Sequence, residues 1–139
     1  MATDLFAGVG VTDFDRAVAW FQSLLGEPAE FVATDTEHVW KVNEHGWIYV
    51  VLRPERAGQA MVTVFLDDLD RFVESASSRG IEPDQRETYE NGVRKIIYLD
   101  PDGNEIGFGG GPAEGTDEGT DEGTDEGAGE GAGADESPA

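Results

Sequence analysis

Apolar residues recur along this chain with two periods, and each change of period marks a boundary between elements. LFAGVGV (5–11) reads as a strand, followed by Thr12-Asp13, side chains suited to a helix N-cap. Phe14, Ala17, Val18, Phe21, Leu24 and Leu25 then fall at helical spacing, and Gly26 supplies a stop. After Pro28 come three short extended segments, AEFVAT (29–34), EHVWKVN (37–43) and GWIYVVLR (46–53), the last two joined by a hairpin at Glu44-His45-Gly46. RPERAGQ (53–59) reads as a connector.

The same order then returns. AMVTVFL (60–66) is a strand, and Asp67-Asp68 caps a helix whose buried stripe is Leu69, Phe72, Val73 and Ala76, with Gly80 as its stop. A weak strand around 84–90, a turn at Asn91-Gly92, a strong strand VRKIIYL (93–99), a turn at DPDGN (100–104) and a last strand EIGFG (105–109) complete the pattern. The phrase DFDRAV (13–18) recurs as DLDRFV (68–73), 55 residues on, because each unit needs the same strand-to-helix corner. The expected fold is α+β: two tandem βαβββ modules, about 4–54 and 59–110. Each module buries only the helix side of its sheet. Two such bare faces can curve around a shared cleft, the usual place for a ligand.

VTDFDRAVAWFQSLLG (11–26), LDDLDRFV (66–73) and YLDPDGNEIGF (98–108) together resemble the vicinal oxygen chelate superfamily, which holds glyoxalase I, extradiol dioxygenases, fosfomycin-resistance enzymes and bleomycin-resistance binding proteins. The likeness spans residues 5–109. It implies paired modules with a curved eight-stranded sheet around the cleft. It also implies a homodimer in which the partner chain often completes the cleft.

Composition changes this picture in three ways. Residues 111–139, with three copies of TDEG, hold ten acids, no bases and nothing apolar enough to bury, so they read as a disordered acidic tail. Of the net charge of −21, −11 remains on residues 1–110. That disfavours nucleic acid and anionic membrane and mildly favours a cationic ligand, although solubility alone explains it too. The absence of cysteine removes disulfides and thiol catalysis. No apolar run approaches a membrane span, MATDLF does not read as a signal peptide, and the cytoplasm is the expected compartment.

In the enzymes of the superfamily, His, Glu or Gln from four strands hold a divalent metal. The resemblance places those four positions at Phe6, Met61, Gly107 and near Val51. None of these four side chains suits such a metal, so no metal, no cofactor and no catalytic residue are expected. His38 and His45 flank a hairpin beside Glu37 and Glu44 and read as hairpin surface residues rather than ligands.

Strand alternation puts Phe6, Gly8 and Gly10 on the cleft side, with Met61, Thr63 and Phe65, then Trp47, Tyr49, Val51 and Arg53, then Glu105 and Gly107. The glycines read as making room. The parity of Trp40, Lys95 and Ile97 stays open. The expected ligand-binding set is therefore Phe6, Trp47, Tyr49, Arg53, Met61, Phe65 and Glu105. It suits stacking or cation–π contact with a small aromatic or cationic compound such as an antibiotic, with Glu105 able to anchor a positive group and Arg53 a negative one. Two alternatives stand beside this metal-free, bleomycin-resistance-like binder. One is a glyoxalase-like lyase or isomerase with a divergent or metal-free site, using Glu105 and Tyr49 for proton transfer. The other is a scaffold or regulatory module with a filled cleft.

Overall fold

The computed structural model describes residues 3–113. The acidic tail beyond residue 113 lies outside them. The N-terminal module consists of β1 (Leu5–Val11), α1 (Phe14–Leu25), β2 (Phe31–Thr34), β3 (Glu37–Asn43) and β4 (Gly46–Leu52). A single 3-10 turn, Pro54–Arg56, leads to the C-terminal module: β5 (Met61–Phe65), α2 (Leu69–Ser78), β6 (Gln85–Thr88), β7 (Arg94–Leu99) and β8 (Glu105–Gly110). Among the described residues no helix is long and apolar enough to cross a membrane.

The repeated phrase does the same work twice. Asp13 Oδ1 accepts from the Arg16 amide at 3.2 Å, and Asp68 Oδ1 from the Arg71 amide at 3.1 Å. Each satisfies one of the amides that a helix start leaves unpaired. Helix α1 ends where Gly26 turns to φ 83°, and its amide reaches back to the Gln22 carbonyl.

The eight strands form two four-stranded sheets, β1-β4-β3-β2 and β5-β8-β7-β6, rather than one sheet of eight. In each, the first strand of the module runs parallel to the last, and the remaining pairs are antiparallel. One apolar core lies between helices and sheets. Val9, Val11, Ile48 and Val50 meet Ala17, Phe21 and Leu24, while Ile96, Tyr98, Ile106 and Phe108 meet Leu69 and Ala76. Each fully buried Val, Leu, Ile or Phe among them contributes about 1.5–3 kcal/mol. Tyr98 sits edge-on to Phe72 and Phe108, and its hydroxyl is buried without a hydrogen-bond partner among the described residues. Burial pushes that phenol above its usual range.

The modules meet at two polar joints. Asn104, fully buried in the turn before β8, donates to the Gly10 carbonyl at 3.0 Å and accepts from the Ala60 amide at 2.9 Å. Asp102 in the same turn accepts from the Thr12 amide and hydroxyl at 3.0 and 2.6 Å. At the helices, the Arg79 guanidinium donates to the Ser23 and Leu24 carbonyls at 2.6 and 3.1 Å, satisfying the C-terminal end of α1 from the end of α2.

Candidate functional site

Each sheet has one face against the core and one open face, and register decides which side chains reach the open one. In the N-terminal sheet Phe6 pairs with Trp47, Gly8 with Tyr49 and Gly10 with Val51. On the far side of β4, Lys41 pairs with Trp47, Val39 with Tyr49 and Glu37 with Val51. Paired residues share a face, so these nine positions lie on the open side, opposite the buried Ile48 and Val50. In the C-terminal sheet Met61 pairs with Glu105, Thr63 with Gly107 and Phe65 with Gly109, with Leu99, Ile97 and Lys95 along β7.

An aromatic platform occupies the first open face. The rings of Phe6 and Trp47 stack at 5.5 Å between centroids, 6° from parallel, and Phe31 meets Trp47 edge-on at 6.0 Å. The Lys41 ammonium stands 5.6 Å from the Trp47 ring centroid. Trp47 Nε1 is buried and has no acceptor among the described residues. An indole N–H left that way costs about 1–3 kcal/mol.

The glycines do not leave the space that alternation suggests. A β-carbon on Gly8 would lie 2.6 Å from the Tyr49 ring and hydroxyl. Tyr49 therefore lies flat against β1 and fills the space itself. The Gly10 position is occupied by the backbone of Arg53 and Arg56, and Gly107 by Lys95 and Thr63. The glycines accommodate the protein's own atoms, which corrects the expectation of an open pocket above them.

The seven expected ligand-binding residues fall into two groups. Phe6, Trp47 and Tyr49 share the N-terminal platform. Arg53 sits just past β4, its side chain 4.0 Å from the Glu55 carboxylate. Met61, Phe65 and Glu105 are on the other sheet. Among the described residues no ring contact, hydrogen bond or ion pair joins the two groups. Met61, Phe65 and Phe6 are 76%, 66% and 48% exposed, while Val39 and Ile97 on the same two faces are buried. A shallow cavity of about 440 Å³ lies instead on the helical side, lined by Leu25, Glu27, Leu66, Phe72 and Arg79 among others.

Four residues missed or left open by sequence reasoning belong to these faces or leave them. Lys41, Lys95 and Ile97 are on the open side. Trp40 is in the core, its indole N–H donating to the Glu27 carbonyl at 2.9 Å. His45 stays exposed at its hairpin, 2.9 Å from Asp4. His38 is not a free hairpin residue: its ring packs edge-on against Phe14 at 4.9 Å, on the helix side.

The pairing also refines the four strand positions that the resemblance assigns to a metal. Phe6 pairs with Trp47 as Met61 pairs with Glu105, so the β4 counterpart of Gly107 is Tyr49 rather than Val51. The donor set is then one phenol and one thioether, which does not fit a divalent metal of the Mn, Fe, Ni or Zn kind. Among the described residues no group of three or more His, Cys, Asp or Glu could hold a metal ion.

Comparison with known proteins agrees with this architecture. No curated protein matches the chain. A crystal structure described as a glyoxalase / bleomycin resistance protein from Catenulispora acidiphila DSM 44928 is 52% identical, covering 80% of this chain and 100% of that one, with a TM-score of 0.77. Two more distant structures share the fold. A bleomycin-binding protein complexed with bleomycin is 21% identical, with a TM-score of 0.61 over 79% of this chain and 97% of its own. A bleomycin resistance determinant encoded on the transposon Tn5 is 19% identical, with a TM-score of 0.65 over 79% and 98%. The profile of one family matches residues 5–108, and the chain belongs to it: the Glyoxalase/Bleomycin resistance protein/Dioxygenase superfamily.

Proposed function

We propose that this protein is a metal-independent binder of a small aromatic molecule, working as a homodimer in which a second copy supplies the opposite wall of each cleft. The observation that carries the reading is the Phe6–Trp47–Phe31 platform on an open sheet face. Stacking on such a platform needs no chemistry and no cofactor. Large apolar side chains standing as free of protein as Met61 and Phe65 support a partner chain, because contiguous exposed apolar surface marks an interaction site. Sequestration of an antibiotic is the version of this function that the bleomycin-binding neighbour suggests. The donor set of Phe6, Met61, Gly107 and Tyr49 supports the metal-free part.

Two measurements test this. Sedimentation equilibrium of the full chain should give a dimer, and Phe65→Asp should give a monomer. A thermal-shift screen of aromatic antibiotics should raise the melting temperature for at least one, unchanged by chelator. A monomeric wild type sinks the shared cleft. A rise in melting temperature on adding Mn, Fe, Co, Ni or Zn sinks the metal-free reading.

A further inference from the structure

The net charge of the chain suggests a cationic ligand. The open face of the N-terminal sheet suggests the reverse. The chain has two lysines, Lys41 and Lys95, and both stand on open faces. Lys41 is exposed and, among the described residues, makes no ion pair, although residues 1–110 carry −11. Its ammonium is held over the Trp47 ring instead. On that face the carboxylate of the sheet is Glu37, four residues away along the same strand, roughly 13 Å at about 3.3 Å per residue. Asp4, in the row beyond Phe6 and Trp47, is taken up by His45 at 2.9 Å, which leaves Lys41 at this end of the platform without a carboxylate partner among the described residues.

A second, independent feature asks for the same partner. The Trp47 indole N–H is a donor with no acceptor among the described residues. The side chains against its ring are Phe6, Phe31 and Lys41, all exposed. A flat ring satisfies the platform. A carboxylate satisfies the unpaired ammonium and the unpaired N–H together. A cationic group beside Lys41 satisfies neither and meets like charge.

We infer that the ligand of this face is a planar aromatic carboxylate, with Lys41 as its charge anchor and Trp47 as both its stacking surface and a hydrogen-bond donor. This rests on the small-molecule reading above. The long-range field of the acidic body opposes an anion, but it is screened beyond about 8–10 Å at ordinary salt, whereas contact at Lys41 is not.

The test is calorimetric titration of the full-length protein with three probes of one shape: 2-naphthoate, 2-naphthalenemethanol and 2-naphthylmethylammonium. The naphthoate should bind about tenfold more tightly than the alcohol, the size expected for one charge-assisted contact. Lys41→Met should abolish that preference, and Lys41→Arg should restore it. Tightest binding by the ammonium probe overturns the inference and leaves the small-molecule reading standing. So does an equal loss of all probes in Lys41→Met. Failure of all three probes with wild type overturns both.

Discussion

In the N-terminal module, the strand beside β1 carries Trp47 and Tyr49 on its open side. In the C-terminal module, the matching places beside β5 hold Glu105 and Gly107. The backbone plan is the same, parallel first and last strands included. One face has become an aromatic platform, and on the other Lys95, Thr63 and Phe65 lie over Gly107 and Gly109. The difference shows which constraints repeat. Buried residues, caps and turns fix the register and so must recur. The open faces carry no such duty and are free to take on different tasks.

The strongest way to break the comparison is to break the joint that holds the modules together. Asn104→Ala removes bonds to Gly10, Ala60 and Asp100 at a fully buried position. It should cost about 3 kcal/mol, read from urea unfolding. A loss under about 1 kcal/mol would mean the modules hold together without this side chain. Next in size, Trp47→Ala should cost about 2 kcal/mol by unmaking the platform, while Glu105→Ala at the matching place stays within about 0.5 kcal/mol. Equal effects would erase the distinction between the faces. Gly8→Ala should cost about 1 kcal/mol, because the Tyr49 ring must shift, and Gly107→Ala about 0.5 kcal/mol or less, because the Lys95 side chain can yield.

The smallest effect concerns charge and pH. The hydrogen bond from Arg94 holds the Asp70 carboxyl below its usual value, so its contribution is present above the unfolded-state pKa and is lost as pH falls through the folded one. The carboxyl is well exposed, and Asp70→Asn should cost only about 0.5 kcal/mol near pH 7, fading in acid. Asp100 acts in the opposite sense. Burial raises its carboxyl against the hydrogen bonds from Asn104 and Asp102, so its share of stability falls as pH rises from the unfolded value through the raised folded one. Urea titrations of Asp70→Asn across acid pH would show whether the first contribution vanishes as described.

The element order, both helix caps and the open faces of β1, β4, β5 and β8 were legible in the residues, because period and alternation are local. The parity of β7 was not legible from alternation, because it is set by the turn. Closure of Asp100–Asn104 sets Leu99 against Glu105, which carries Ile97 to Gly107 and Lys95 to Gly109. Trp40 was not legible. The β3–β4 register shifts between Lys41 and Asn43, and this irregularity turns Trp40 into the core and Lys41 outward. Nor could alternation reveal that Tyr49 lies across Gly8, because a glycine in a strand reads the same whether a ligand or the protein fills its space. The division into two sheets depends on how the modules dock, which no short stretch encodes.

The bond from Asn104 to the Gly10 carbonyl spans 94 positions of chain. Arg79 reaches the end of α1 across 56 and 55. During synthesis the first half therefore leaves the ribosome with the end of β1 and the end of α1 both waiting for residues not yet made. The first-made half is thus completed by a late-made turn, and a chain stalled before residue 104 lacks the bond that fastens the end of β1 at Gly10.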